Sequence, residues 1–224
     1  MSYSADRTTT GFEWLYNLAG HAPNPVPYEL KPDTEFKKGV LVVVDDGLVE
    51  PADNNTDITD DVLGVMAEEI KQADNPSDKV TYGRVYTNPL DVFRVSVTGQ
   101  NDVTADGGSS TVFETASSIH DDLKGATMYV YEGDAKGTVR TISSVASDNA
   151  TVYEEFPEDI ESGDKAVIIG FDDTNGAFWP GMSGVFADSD GLKANVGKAA
   201  NNGPLHIVKI DAINLMVDVL VVKA

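Results

Sequence analysis

The chain has 224 residues, 37 of them Asp or Glu against 16 Lys or Arg, for a formal charge of -21 at neutral pH. A surface of that sign repels phosphates and anionic lipid headgroups, so neither nucleic acid nor membrane is expected as a partner. Cysteine is absent, which removes disulfide scaffolds, thiolate metal sites and cysteine nucleophiles.

Residues 1–38 show no sustained period of 2 or 3.6 and read as an extended N-terminal arm. Pro23, Pro25, Pro27 and Pro32 each lack a backbone donor and bias the preceding residue toward extended conformations, so no long helix runs through them. Only residues 12–18 admit a short helical turn. That stretch concentrates Phe12, Trp14, Leu15, Tyr16 and Leu18 in a segment too polar and Pro-rich to fold alone. Two readings stand side by side: these side chains pack on the chain's own domain, or they anchor on a neighbouring subunit. The opening residues lack the apolar run of a signal peptide. The aliphatic runs 40–44 and 219–222 fall far short of the roughly 20 residues that a spanning helix needs, so the chain is expected to be soluble and unanchored.

From Val40 the pattern changes to short β-branched runs separated by turn residues. Residues 40–44, then Asp45-Asp46-Gly47, then Leu48-Val49-Glu50 predict a hairpin, because Asp-Gly supplies the positive φ that a tight turn needs. Further strands are expected at 61–67, 79–86 and 91–97. In the last, Phe93, Val95 and Val97 share a buried face and Arg94 and Ser96 a wet one. Residues 99–110 are polar and Gly-rich and read as a linker. Beyond it, 125–132, 137–145, 151–156 and 165–171 form four close-spaced strands, with turns at Gly133-Asp134 and Ser147-Asp148-Asn149, and predict a small β-barrel or sandwich. Residues 186–202 read as irregular. The end of the chain reads as two strands, 206–213 and 215–222, around a turn at Asn214. The class is therefore all-β. Val217, Val219 and Val221 need a sheet partner outside the small module. The predicted division is thus an arm at 1–38, one β-domain from 39–110 with 174–224, and an inserted, projecting module at 111–173.

No catalytic constellation emerges. His21, His120 and His206 stand apart from one another and from any nucleophile, and read as ordinary packed or exposed residues. The loop Asp53-Asn54-Asn55-Thr56-Asp57 places oxygen ligands at alternate positions, but Ile58 stands where a calcium loop turns on Gly and Gly64 where it needs a bidentate Glu. Asp172-Asp173-Thr174-Asn175-Gly176 and Asp188-Ser189-Asp190-Gly191 could each help hold a hard cation, though Asp, Asn and Gly also make ordinary turns. No glycine pattern matches a phosphate-binding loop. Glu154 and Glu155 fall on opposite faces of a strand and cannot act together. The chain is read as a non-enzyme with no metal and no cofactor. Its excess of carboxylates reads as a solvated, repulsive surface, with halophilic adaptation as the sharper alternative.

Asp122-Leu123-Lys124-Gly125, Met128-Tyr129-Val130 and the run from Gly133 through Gly137-Thr138-Val139-Arg140-Thr141-Ile142 carry a resemblance. They resemble a β-module of tailed-phage head and tail proteins, in which a Leu-x-Gly start, a strand, a Gly-containing turn and a Gly-x-x-Arg-x-Ile strand recur. Ala150-Thr151-Val152-Tyr153, Phe156-Pro157 and Gly163-Asp164 continue the same pattern. Residues 39–67 and 203–222 resemble the β-tulip or barrel of phage capsid decoration (cement) proteins. The resemblance implies a β-barrel or β-tulip-like domain carrying the inserted module. It also implies a structural virion protein on the outer capsid surface, made in the host cytoplasm, with the major capsid protein as partner and a homotrimer as the bound form. Phe12, Trp14, Leu15, Tyr16 and Leu18 are then the capsid-binding candidates. The alternative function is a carbohydrate-binding or adhesin-like module, for which Tyr129, Tyr131, Phe178 and Trp179 are the aromatic candidates.

Overall fold

A computed structural model of the chain describes residues 9–53, 55–56, 60–119, 123–170, 183–199 and 203–222. Among them the chain is all-β, its one helical element being a 3₁₀ turn at Gln72–Asp74, and no helix is long and apolar enough to cross a membrane.

Three strand assemblies share the chain. The first is a ring. Strand β7 (Asp91–Thr98) pairs along one edge with β17 (Met216–Val221), β17 with β16 (Leu205–Asp211), β16 with β14 (Ser183–Ala187), and β14 with β15 (Ala194–Ala199). β15 then returns in parallel to Val97 and Thr98 of β7 and closes the circuit. Strand β1 (Glu13–Asn17) lies antiparallel to the first half of β7.

The second assembly is a sheet in the order β2 (Val26–Glu29), β6 (Tyr82–Tyr86), β5 (Val62–Met66), β3 (Leu41–Asp45), β4 (Leu48–Pro51). Its two edges draw together where Leu30 bridges Val49 and the Lys31 N–H donates to the Val49 carbonyl at 2.8 Å. The third is a closed barrel in the order β10 (Thr127–Glu132), β11 (Val139–Ala146), β12 (Asn149–Val152), β9 (Val112–Thr115), β8 (Asn101–Gly108), β13 (Lys165–Ile169). The chain leaves the ring after β7, builds this barrel, and re-enters the ring at β14.

Local chemistry explains the elements. The β3–β4 hairpin turns on Asp46 at φ 48° and Gly47 at φ 83°, the paired positive values that a two-residue turn matched to strand twist requires. Successive residues of a strand point to opposite faces, and some of these strands are buried on both. Val42 enters the core of the second assembly while Leu41 and Val43 enter that of the ring. Met128, Val130, Ala166 and Ile168 fill the barrel, and from the same two strands Tyr129, Val167 and Ile169 pack outward on the ring's core. This double burial is why 40–44 and 166–169 are continuous apolar runs rather than alternating ones.

Four expectations change. Residues 99–110 are not a linker: β8 occupies 101–108 and is a wall of the barrel, with Val103 and Ala105 buried inside and Asp102, Thr104 and Asp106 in solvent. A half-exposed strand needs apolar side chains only at alternate positions, and Ala105 supplies one of them with a single methyl. Residues 186–202 are not irregular over their described part, where β14 and β15 run; Ala187 and Ala194 are fully buried there, small side chains held by tertiary packing despite modest strand propensity. The β7 face carrying Arg94 and Ser96 is not wet. Ser96 is only 6% exposed, and Thr9 covers it through two 2.8 Å hydrogen bonds, Thr9 N–H to Ser96 Oγ and Ser96 N–H to Thr9 Oγ1.

The fourth change concerns the N-terminal segment. It is extended, but over residues 9–38 it is stitched into the molecule and forms no helical turn at 12–18. Phe12 enters the ring's core, and Leu30 and Phe36 that of the second assembly. Lacking enough apolar residues to build a core, the segment lends them to two others. Its entry depends on a backbone crossing in which the Phe12 N–H donates to the Gly39 carbonyl at 2.8 Å. A Cβ on Gly11 would stand 2.8 Å from that carbonyl oxygen, and one on Gly39 2.9 Å from Phe12 N and O; only glycine fits at either place.

A candidate partner-binding surface on the first strand

The register between β1 and β7 slips between Trp14 and Tyr16, leaving Leu15 as the extra residue of a bulge. Beyond the bulge, Tyr16 points to one face of the strand pair and Asn17 to the other, and Leu18 follows in the turn that ends the strand. Tyr16 and Leu18 are 43% and 53% exposed, and Leu90, whose carbonyl accepts the Leu18 N–H at 2.9 Å, is 42% exposed. On the Tyr16 face of β7 lies Arg94, directly across from Asp218 on β17. Arg94 Nε donates to Asp218 Oδ1 at 2.7 Å and Nη2 donates to Oδ2 at 3.0 Å, a two-bond geometry that fixes both side chains. The hydrogen bond to Asp218 outweighs the opposing effect of burial and holds the Arg94 guanidinium above its ordinary pKa, with the Asp211 charge adding to it.

The opposite face carries Phe93, Val95 and Val97 into the ring's core and turns polar only at its end, at Asn17 and Asp91. Asn17 Nδ2 donates to Asp91 Oδ1 at 2.9 Å, and Asn17 Oδ1 accepts the Ala19 N–H at 2.9 Å. Asp91 closes a turn through Asn88, Pro89 and Leu90. Its N–H donates to the Asn88 carbonyl, and Asn88 Oδ1 accepts the Leu90 N–H, both at 3.0 Å. With Pro fixing φ at the second position and Asn bonding its own backbone two residues on, the turn is set by local sequence. A groove of about 640 Å³ opens here, lined by His21, Asn24, Val26, Thr87 and Asn88, with Asp91 as its buried member.

The five side chains singled out from the sequence separate. Phe12 is 3% exposed and belongs to the core. Trp14 is half-buried against that core, Leu15 sits in the bulge, and Tyr16 and Leu18 face solvent. The Trp14 indole N–H is shielded from solvent and finds no acceptor; it borders a cavity of about 370 Å³ beside Gly11, Lys38, Gly39 and Tyr86. Leu90, Val26 and Asp91 were missed in the sequence, where the signal was the Asn-Pro turn at 88–89 just ahead of a strand.

Of the remaining candidates, Asp53 Oδ1 accepts the N–H groups of Asn55 and Thr56 at 2.8 and 3.1 Å, and Asp188 Oδ1 those of Leu192 and Lys193 at 2.8 and 3.0 Å; both carboxylates order turns. His206 lies in β16 opposite Leu220. Tyr129 is buried and Tyr131 packs on the same core. His120, Phe178, Trp179 and residues 172–176 lie outside the described residues. Comparison with protein-family models, curated proteins and solved structures gives no match.

Proposed function

We propose that the chain is a structural virion protein that binds the outer surface of an icosahedral, phage-type capsid and stabilises the mature shell. Its partner is the major capsid protein, and its bound form is a homotrimer. The observation that carries this reading is the grouping of Tyr16, Leu18 and Leu90, large apolar side chains exposed at one end of the β1–β7 pair of a folded, strongly acidic protein. Exposed apolar side chains standing side by side mark contact surfaces, and the net charge of -21 keeps free copies apart in solution. The sequence resemblance to decoration proteins supplies the identity of the partner. A subunit that binds the assembled lattice and not its dissociated parts stabilises the lattice by mass action, and several contacts per trimer multiply weak ones.

The test is co-sedimentation of the purified chain with undecorated particles assembled from the major capsid protein of the same genome. Binding is expected, with at least a tenfold loss on combining Tyr16→Ala and Leu18→Ala. A chain that stays in the supernatant overturns the function, and undiminished binding by the double variant moves the contact elsewhere.

A further inference from the structure

We propose that the groove containing Asp91 receives a basic side chain, an arginine or lysine, from the protein that this surface binds. Asp91 is 3% exposed as a residue, and its side-chain partner is the neutral amide of Asn17. Among the described residues the ion pairs are those of Lys31 with Asp45 and Glu50, Arg94 with Asp218, and Lys165 with Glu132; Asp91 has none. His21, the basic group among the lining residues, makes no ion pair with it. A buried charge is ordinarily paired or coordinated, and this one opens on a cavity of about 640 Å³, room for a guanidinium or ammonium head and its stem.

The walls suit that occupant. Val26, Ala22 and Pro89 offer apolar contact for the methylene stem, and Asn24, Thr87 and Asn88 offer polar groups around the head. The carboxylate is positioned by the Asn88–Asp91 turn and the Asn17 amide, so it does not have to be ordered when the partner arrives. An exposed acidic residue attracts cations without selecting among them, whereas a recessed one admits only a side chain that reaches it. Asp91 is therefore distinguished from the many surface carboxylates by depth. The identity of the partner rests on the capsid-binding reading; the groove's preference for a cation does not.

The experiment uses the full chain, isotopically labelled, titrated with N-acetyl-arginine methylamide, N-acetyl-lysine methylamide and the uncharged citrulline counterpart. The two cationic probes are expected to shift resonances of the Asn17 side-chain amide, Asn88 and Asp91, and the citrulline probe to leave them in place. Asp91→Asn is expected to weaken binding at least tenfold while an amide of the same shape still accepts from Asn17. Ala22→Trp, at an exposed position lining the groove, is expected to block it without touching Asp91, and serves if Asp91→Asn is misfolded by circular dichroism. Equal response to citrulline, shifts confined to other surfaces, or binding unchanged in both variants would overturn the proposal. Particle binding separates the two readings. If Asp91→Asn co-sediments as well as the parent chain, the groove is not the contact and the capsid function stands. If the arginine probe binds while no particle binds, the groove stands and the capsid function fails.

Discussion

The inserted barrel and the ring that carries it use strands of similar length but are supplied by the chain in opposite ways. Strands β8 to β13 follow one another without interruption and close on themselves. The ring draws on β7, on β14 to β17, and on β1 from the far end of the chain. One is finished by its own neighbours; the other depends on a segment with no core of its own. The open surface of the molecule lies beside the borrowed strand, where Tyr16, Leu18 and the Asp91 groove meet solvent. The ring's own circuit is closed, but β1, appended to it, pairs along one edge only, and a strand with a free edge keeps backbone and side chains available for a partner.

The largest effect expected from breaking this asymmetry is the removal of residues 1–38. That deletion takes Phe12, Leu30 and Phe36, each at most 3% exposed, out of two cores. At about 3–5 kcal/mol for a buried aromatic it exhausts the stability of an ordinary domain. Hydrogen exchange is expected to show β3 to β7 unprotected and β8 to β13 still protected; retained protection across β7 would show the ring to be self-sufficient.

Single core truncations sharpen the same comparison. Phe93→Ala in the ring and Phe113→Ala in the barrel, at residues 1% and 0% exposed, should each cost about 3–5 kcal/mol. In a Trp179→Phe background, Trp14 fluorescence reports the ring. Phe93→Ala should move its urea midpoint, while Phe113→Ala should melt the barrel by circular dichroism before Trp14 responds. Coincident transitions in Phe113→Ala would mean that Tyr129, Val167 and Ile169 weld the two into one unit.

A smaller effect is expected at the ring's ion pair. Arg94→Leu leaves Asp218, whose side chain is 5% exposed, without its cation. The loss should be about 2 kcal/mol, below that of a fully buried pair because the Arg94 side chain is 25% exposed. Adding Asp218→Asn should recover much of it, and a double variant as unstable as the single one would show that the pair's charge is not what matters.

The smallest effect belongs to the barrel's exposed pair, Lys165 with Glu132 at 2.6 Å. The hydrogen bond from Lys165 holds the Glu132 carboxyl below its usual range. Its contribution is therefore present above the unfolded value near 4.5 and is lost as pH falls through the lower folded one. Melting curves of the parent and Glu132→Gln should differ slightly at neutral pH and converge in acid. A difference that persists below both values would rule the pair out as its source.

Legibility in the sequence followed locality. The 45–48 hairpin turn and the positive-φ turn at Ser147 and Asp148 were readable because neighbouring residues decide them. β1, β2, β14 and β15 were not, since Phe12 or Ala187 becomes a core residue only when a strand distant in sequence arrives to cover it. The same limit governed the surface. Tyr16 and Leu18 were recognised as bulky apolar residues, but Phe12 looked identical and is buried. Asp91 was one carboxylate among 37 acidic residues until the fold recessed it.

The unequal support of the two terminal strands also has a mechanical side. β17 is laddered on both edges, to β7 and to β16, whereas β1 is held by β7 alone and its ladder is interrupted by the bulge. Tension applied through the last strand must shear two ladders together, while tension applied through the first has one short, broken ladder to peel. A molecule pulled by its first strand therefore yields there before β17 is drawn from its two ladders.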